Sequence, residues 1–198
     1  MTQDLIERAL DGDESAARAL HSDHYPAIFR LAYMLLQNRE DADDATQDAF
    51  IYAFSHLNRY NPERAAFASW LKIIVTSRCR DQQRRRRGRT TSLHDLVQSG
   101  HEPEDEVPDH QPSVALEKAG LQETVWRALA QVPRKSRQAL ILRFYGDLTY
   151  PEMAQALGCA VSTVKSRVAY GLQVLSPLLE SAKPVADTSS ADPDGESL

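Results

Sequence analysis

The sequence predicts an all-α protein with two small helical domains joined by an acidic flexible linker. Apolar residues recur at the three- and four-residue spacing of amphipathic helices through most of the chain. Signals that start and stop helices flank these stretches, and glycines are few. Two long stretches without helical spacing set the boundaries of the domains. The predicted parts are a domain over 1–89, the linker over 90–112, a domain over 113–180 and an acidic disordered tail over 181–198.

The first domain opens with three predicted helices. A short helix covers residues 3–10, and a longer one begins near Asp13 and should be kinked or split by Pro26. Asn38 opens the third helix, which covers residues 40–57. Its inward residues form a narrow stripe that suits close packing: Ala42, Ala45, Ala49, Ala53 and Leu57.

One face of the third helix concentrates negative charge, since residues 40–48 hold five acids and no base. Asp41, Asp44 and Asp48 are spaced to share a face, and no cation on that face offsets them. Asp41 and Asp43 can also be explained as solvated acids that interact favourably with the helix dipole. A docking face for a basic partner is predicted from the residues deeper in the helix: Asp44, Gln47 and Asp48.

A loop and a cationic helix complete the first domain. Residues 56–66 break the helical spacing and present Asn58, Arg59, Tyr60, Asn61 and Pro62. Residues 67–87 form one helix with Phe67, Trp70, Leu71 and Ile74 directed inward. Its exposed stripe is predicted to carry Lys72, Thr76, Arg80, Gln83 and Arg87. Cations that follow phosphates beside a loop that holds an unstacked base suit single-stranded DNA. Alternatively, the arginines of residues 84–89 are a solvated run that binds any polyanion.

The net charge of −5 is unexpected for a nucleic-acid-binding protein, but it averages over separate blocks of charge. Residues 78–89 hold seven arginines and one aspartate. Residues 102–117 hold six acids and no base, and residues 183–198 hold four acids and one lysine. Charge segregated in this way indicates separate partners, one polyanionic and one or more basic.

The second domain is predicted to have four helices. A helix within residues 113–131 is followed by one that starts at Pro133 and ends at Gly146. The core residues expected from the latter are Ala139, Leu140, Ile141, Leu142 and Phe144. The remaining two helices lie within residues 149–175.

Residues 149–175 predict a helix-turn-helix. Thr149 and Glu152 form a capping box, and Gly158 supplies the left-handed residue that ends the first helix. Ser162 can cap the second helix, whose inward residues are Val164, Val168, Leu172 and Leu175. Its exposed face carries Thr163, Lys165, Ser166, Arg167 and Tyr170. Hydroxyls and cations at this position are typical of a recognition helix in the major groove. The alternative is an ordinary helical hairpin with a polar face.

The composition disfavours several other classes of protein. No apolar run is long enough to span a membrane and the polar start is unlike a signal peptide, so a cytosolic protein without membrane insertion is expected. Cys79 and Cys159 are far apart, which favours buried free thiols over a metal site or a redox pair. His21 and His24 lack neighbouring ligands, and no Gly-rich phosphate loop or nucleophile motif is present. We therefore expect no cofactor, no metal and no enzyme activity.

Three stretches in this order resemble the extracytoplasmic-function (ECF) type of bacterial RNA polymerase sigma factor, of the sigma-70 family. They are NREDADDATQDAFIYAF, FASWLKIIVTSRCRDQQRR and LTYPEMAQALGCAVSTVKSRV. The likeness covers about residues 5–179, and nothing between the domains matches the extra domains of housekeeping sigma factors. It implies a sigma-2-like first domain and a sigma-4-like second domain that contains the helix-turn-helix.

The resemblance also implies roles for particular residues. The residues that would bind the clamp helices of the polymerase β′ subunit are Asp41, Asp44, Gln47, Asp48 and Phe54. Those that would open and read the promoter −10 element are Asn58, Arg59, Tyr60, Asn61, Trp70, Lys72, Thr76, Arg80 and Gln83. The second domain would sit on the β flap and read the −35 element with Ser162, Thr163, Lys165, Ser166, Arg167 and Tyr170. An anti-sigma factor is a further partner expected by resemblance, and nucleotidyl transfer would belong to the polymerase core.

The sequence departs from the family after SRV, where several basic residues usually follow. Ala169, Tyr170, Gly171 and Gln173 carry no charge here. Because fewer cations contact phosphate, we predict weak binding of the −35 element by the second domain, with a shallow dependence on salt.

Two alternatives to a sigma factor fit these residues less well. A sigma-mimicking adaptor would bind an anti-sigma factor without touching DNA, and so would not need Lys72, Arg80, Lys165 and Arg167. A DNA-binding regulator independent of polymerase would not need the acidic docking face or the promoter-opening loop. Both alternatives are therefore disfavoured.

Overall fold

The computed structural model describes the backbone of residues 2–94 and 116–181 and the side chains of residues 2–86 and 124–181. Every regular element in these ranges is helical, which confirms the predicted all-α fold. In chain order they are α1 (Thr2–Leu10), α2 (Glu14–Leu36), α3 (Arg39–Ser55), a 3-10 turn (Leu57–Arg59), α4 (Phe67–His94), α5 (Leu116–Gln131), α6 (Arg134–Leu140), a π turn (Ile141–Tyr145), α7 (Tyr150–Leu157) and α8 (Val161–Ser181). Residues 90–94 of the predicted linker belong to α4. The rest of the linker and the predicted tail beyond residue 181 lie outside the described residues.

Side-chain caps begin the helices of the first domain close to the predicted positions. At the start of α2, the Asp13 carboxylate accepts the backbone N–H groups of Ser15 at 2.8 Å and Ala16 at 3.3 Å. At the start of α3, the Asn38 side chain accepts the N–H of Asp41 at 2.9 Å. Each cap satisfies backbone donors that have no partner within the helix, so the chain leaves the preceding turn at a defined residue.

The prediction that Pro26 could split the second helix is wrong, because α2 runs through it without a break. Buried Leu20 on one side of the proline and buried Ile28 and Leu31 on the other belong to the same apolar core. Packing on both sides of Pro26 outweighs the loss of one backbone hydrogen bond.

The first domain is built on α2, α3 and α4, which pack against one another, with α1 against α2. The predicted stripe of small residues is confirmed, since its members are all buried: Ala42, Ala45, Ala49, Ala53 and Leu57. Alanines let helix axes approach closely, so α3 packs tightly against its neighbours through this face. The opposite face of α3 is exposed.

The second domain is built from α5 to α8, but two of its predicted core residues lie outside. Phe144 is 66% exposed, because the backbone changes to π geometry at Ile141–Tyr145 and rotates later residues away from the core. Leu172 is 38% exposed. Its neighbour Gly171 faces the core instead, and a Cβ there would lie 2.9 Å from Cγ of Leu140. The core position on α8 thus falls on a residue without a side chain.

The two domains contact each other directly. Helix α4 of the first domain packs against α7 of the second, and the π turn approaches α2. Buried side chains of both domains form one continuous apolar cluster. The surfaces of each domain therefore depend on the position of the other.

Candidate nucleic-acid interface and docking face

The helix-turn-helix forms as its capping signals predict. The backbone N–H of Thr149 donates to the Glu152 carboxylate at 2.8 Å, and the N–H of Glu152 donates to the Thr149 hydroxyl at 3.4 Å. Gly158 ends α7 in the left-handed conformation, with φ of 61°. The second helix begins at Val161, two residues before the start that a cap at Ser162 would give. Ser162 therefore lies in the first turn of α8 and is not its cap.

The N-terminal half of α8 presents the predicted polar face. Ser162, Lys165, Ser166 and Tyr170 are exposed, and Thr163 and Arg167 are half-buried. The Arg167 guanidinium donates to the sulfur of Cys159 at 3.6 Å, which directs it along the turn between the two helices. Buried Val164 and Val168 anchor the opposite face. The helix can thus offer hydroxyls and cations to a groove without losing its packing.

Two residues that the sequence analysis missed join this face. The ring of Tyr150, in the first turn of α7, lies 5.7 Å from Nζ of Lys165 and 5.4 Å from Cζ of Arg143. These are cation–π distances, so two cations lie within reach of one half-buried ring. No sequence signal indicates this cluster, because its members come from three different elements.

Part of the face on α3 that is predicted to dock a partner is exposed. Asp44, Gln47 and Asp48 are exposed. Ile51, one turn further on, is 65% exposed, and the sequence analysis missed it. The four residues follow the i, i+3, i+4, i+7 spacing of one helical face. An aliphatic side chain beside two carboxylates is a surface suited to a partner that is both basic and apolar.

Asp41 does not belong to that exposed face, which corrects the prediction. It is 8% exposed, its carboxylate accepts from the Arg86 guanidinium at 2.7 Å, and it also accepts from the Gln82 amide at 2.9 Å. Both partners come from α4, which crosses the start of α3 and covers this position. Phe54, at the other end of the predicted face, is half-buried and packs on Phe50.

In the loop after α3, the amides and the tyrosine are separated. Asn58, Arg59, Asn61 and Pro62 are exposed. Tyr60 is half-buried, its hydroxyl donates to the Ala65 carbonyl at 3.1 Å, and its ring packs on Phe67 and Trp70. Burial raises the pKa of this phenol. The expectation that the loop presents Tyr60 is therefore wrong, because this ring packs inward on Phe67 and Trp70.

The stripe predicted to be exposed on α4 is covered in this structure. Thr76 is 2% exposed, and its hydroxyl donates to the Lys72 carbonyl at 2.7 Å. Lys72, Arg80 and Gln83 are half-buried and hydrogen-bonded to backbone or side-chain groups across the fold. The side chain of Arg87 lies outside the described residues. Sequence spacing identified one face of the helix correctly, but it could not show that the second domain packs there.

Further along α4, a cationic surface stays open. Arg84, Arg85 and Arg86 are exposed. Arg86 also pairs with Asp41, so Arg84 and Arg85 are the two that carry no ion pair described above. A polyanion can therefore approach this end of α4 while α7 packs against the same helix.

The described residues hold no group of histidine, cysteine or acidic side chains arranged to bind a metal ion. Among the same residues no helix is long and apolar enough to cross a membrane. Cys79 is buried as expected, and burial raises the pKa of its thiol to about 12. Cys159 is only half-buried, so the expectation of two buried thiols holds for one.

Comparison with known proteins accounts for both domains. Residues 20–90 match the family model of Sigma-70 region 2, and residues 122–175 match that of Sigma-70, region 4. The ECF RNA polymerase sigma factor SigE of Mycolicibacterium smegmatis is 34% identical over 173 residues, which are 85% of this chain and 64% of SigE. SigM of Mycobacterium tuberculosis, also an ECF RNA polymerase sigma factor, is 32% identical over 177 residues, which are 89% of this chain and 83% of SigM.

A solved structure shares the fold. The sigma factor RpoE of Bartonella quintana, crystallised with the anti-sigma factor NepR, aligns with a TM-score of 0.60 at 24% identity, over 82% of this chain and 96% of RpoE. Both family models match in the order and over the elements described above. The chain therefore belongs to the ECF sigma factors of bacterial RNA polymerase.

Proposed function

We propose that this chain binds core RNA polymerase, brings it to promoters through the −35 and −10 elements, and assists opening of the DNA. The observation that carries the proposal is that one chain joins an exposed acidic docking face on α3 to an exposed helix-turn-helix on α8. A DNA-binding protein that acts without polymerase would not need the docking face on α3. An adaptor that does not touch DNA would not need the helix-turn-helix.

The docking face on α3 is proposed to bind the clamp helices of the polymerase β′ subunit. Asp44 and Asp48 carry negative charge at the rim, which steers a basic partner and fixes its register. Ile51, one turn beyond Asp48, supplies exposed apolar area beside them, and residues of this kind contribute most when a partner excludes water from them. Gln47 is placed to donate or accept hydrogen bonds within the same contact.

The helix-turn-helix is proposed to read the −35 element while the second domain rests on the β flap. Lys165 and Arg167 are suited to phosphate or to guanine, and Ser162, Thr163 and Ser166 to phosphate or base edges. Tyr150 would restrict Lys165 to a narrower range of positions, which lowers the entropy cost of a phosphate contact.

The −10 element is proposed to meet the loop after α3 and the stripe on α4. Asn58 and Asn61 are exposed and can form hydrogen bonds with an unstacked base. Lys72, Arg80 and Gln83 lie on one side of α4, and Trp70 lies in its first turn, where its ring packs on Tyr60. Cations in this position would follow the backbone of the separated strand. Thr76 contributes to the packing of α4, because its hydroxyl is already bound to the helix backbone.

Further parts of the proposal follow from family membership. The RpoE of Bartonella quintana was crystallised with an anti-sigma factor, and we propose that a protein of that class also binds this chain. We further propose that the chain acts in the cytoplasm, where the polymerase is, and that it has no catalytic activity of its own. Nucleotidyl transfer is carried out by the polymerase core.

Reconstitution tests the proposal. Purified core polymerase with this chain is incubated with fragmented genomic DNA and nucleotides, and the 5′ ends of the transcripts are mapped. We expect starts at a discrete set of sites that share upstream elements and are missing with core polymerase alone. Co-migration with core polymerase without any selected start would instead indicate an adaptor, and failure to co-migrate would contradict both readings.

A further inference from the structure

An arginine of α4 lies against the C-terminal end of α3. Cζ of Arg78 is 4.5 Å from the centre of the Tyr52 ring, which is a cation–π distance. The His56 ring stacks on the same tyrosine, with the two ring centres 4.2 Å apart. Arg78, Tyr52 and His56 are all half-buried. The guanidinium is therefore held in one place by an aromatic pair from the end of α3.

Tyr52 borders the docking face on α3. It follows Asp48 by four residues and Asp44 by eight, so the three side chains lie along one ridge of the helix. Asp44 and Asp48 are exposed and negative. The guanidinium over Tyr52 thus adds a positive charge at the edge of a face whose own charges are negative.

Arg78 lacks a counter-charge within the part of the chain that the structure describes. Among residues 2–86 and 124–181 it forms no ion pair, and its Nε is buried without a hydrogen-bond partner. A buried donor without an acceptor lowers stability, and so does a partly desolvated cation without an anion. The Tyr52 ring offsets part of this cost but supplies no acceptor in its plane.

We propose that Arg78 is the positive end of the docking face and that it binds a carboxylate of the β′ clamp helices. The inference rests on the proposed function, since that function assigns the docking face to core polymerase. The partner surface is then patterned in charge. It sets basic groups against Asp44 and Asp48, an apolar group against Ile51, and an acidic group against Arg78.

A carboxylate fits this position chemically. It can accept two parallel hydrogen bonds from one guanidinium, and a ring that already fixes the guanidinium lowers the entropy cost of that contact. A DNA phosphate offers similar oxygens. Arg78, however, contacts α3, and helical spacing places it on a different side of α4 from Lys72, Arg80 and Gln83, the residues proposed to meet DNA.

Opposite charges at the two ends of the face would make docking directional. A partner helix laid along α3 in the reverse direction would bring its acidic group to Asp44 and its basic groups to Arg78. Like charges placed against each other disfavour that arrangement. Arg78 would therefore select the orientation of the partner, while Asp44 and Asp48 supply the attraction to a basic surface.

Arg78→Gln tests the proposal through the sign of its effect. If the partner were basic throughout, loss of a cation beside Asp48 would tighten polymerase binding. We expect binding to weaken about fivefold instead, because the carboxylate of the partner loses its counter-charge. Arg85→Gln is the matched control, since it makes the same charge change at an exposed position of the same helix. It should bind polymerase as the wild type does.

The measurement is the equilibrium affinity of the full chain for core polymerase without DNA, by fluorescence anisotropy. Equal or tighter binding by Arg78→Gln would overturn the proposal. Unchanged polymerase affinity combined with weaker binding of the polymerase complex to promoter DNA would also overturn it, because Arg78 would then meet a phosphate. A wild-type chain that does not bind core polymerase would contradict the proposed function, and the inference with it.

A charge exchange separates ion pairing from a merely structural role of Arg78. Arg78→Glu is combined with core polymerases in which single acids of the β′ clamp helices are changed to lysine. One such polymerase should bind Arg78→Glu about fivefold more tightly than the unchanged polymerase does, and should bind the wild-type chain more weakly. A structural role would lower affinity for every polymerase alike, and the lack of any compensating lysine would overturn the proposal. Thermal denaturation of Arg78→Glu and Arg78→Gln records any loss of stability separately.

Discussion

The Arg86 guanidinium lies 2.7 Å from the Asp41 carboxylate and connects α4 to the start of α3. The contact gives Asp41 a structural role within the first domain, in contrast to exposed Asp48 on the same helix. Two carboxylates seven residues apart on one helix thus have different consequences when they are removed.

Asp41→Ala should lower the free energy of unfolding by about 1–2 kcal/mol, because it leaves the Gln82 amide without its acceptor and removes the Arg86 ion pair. Asp48→Ala should leave stability within about 0.5 kcal/mol and weaken polymerase binding about two- to fivefold. Urea denaturation and binding to core polymerase separate the two effects. Equal destabilisation by both changes would contradict the assignment.

Ile51→Ala should weaken polymerase binding about fivefold or more without lowering stability, because the side chain is 65% exposed in the free chain and becomes buried only in the complex. Leu10→Ala, at an exposed leucine on α1, is the control and should bind normally. The measurement is the equilibrium affinity for core polymerase by fluorescence anisotropy. Loss of binding in both variants would point to a general effect of removing surface apolar area.

Tyr150→Leu should reduce affinity for a duplex that contains the −35 element about two- to fivefold, because the cation–π contact with Lys165 is lost. Tyr150→Phe keeps the ring and should bind nearly as well as the wild type. The comparison is made by anisotropy titration of the full chain at one fixed salt concentration. If the phenylalanine variant binds as weakly as the leucine variant, the hydroxyl matters and the ring does not.

Gly171→Ala should destabilise the second domain, although alanine favours a helix by about 1 kcal/mol over glycine. The new Cβ would lie 2.9 Å from Cγ of buried Leu140, and overpacking of this kind costs about 1–3 kcal/mol. Gln173→Ala, at an exposed position of the same helix, should change stability by less than about 0.5 kcal/mol. Thermal denaturation is the measurement. A raised melting temperature for Gly171→Ala would show that Leu140 moves aside without a net loss of stability.

Stability should fall in alkaline solution partly through Cys79. Burial raises the pKa of its thiol from 9.0 to about 12, so the unfolded chain loses this proton at lower pH than the folded chain. The contribution is complete below pH 9 and is lost as pH rises toward 12, at up to about 1.4 kcal/mol per pH unit. Cys79→Ala should show a shallower decline in the same range by urea denaturation at stepped pH. An unchanged slope would mean that the Cys79 thiol has the same protonation state in the folded and the unfolded chain over this pH range.

Much of the fold could be read from local signals. The caps at Asp13, Asn38 and Thr149 and the stop at Gly158 act within a few residues of the chain, so their effect is visible in sequence. The spacing of apolar residues placed the buried face of α3 correctly for the same reason. Errors came where packing at a distance overrode a local rule, as at Pro26, Phe144 and Leu172.

The candidate site likewise combines residues that the sequence predicts with residues that only the tertiary structure identifies. The polar face of α8 and the exposed residues Asp44, Gln47 and Asp48 follow from helical periodicity, which assigns residues to faces. The cluster around Tyr150, the burial of Asp41 and the exposed Ile51 depend on which element lies opposite, and no spacing rule contains that information.

The sequence by itself determined that the chain is helical, where most helices begin and end, and which sides of them carry charge, because hydrogen bonding, capping and side-chain spacing act over a few residues. Tertiary structure alone decided which groups those charged helix faces contact. The cations of α4 look free for phosphate in sequence, yet Lys72 and Arg80 are bound to helix-end carbonyls of the other domain. Those contacts join residues more than seventy positions apart, and only the packing of α7 on α4 brings them together.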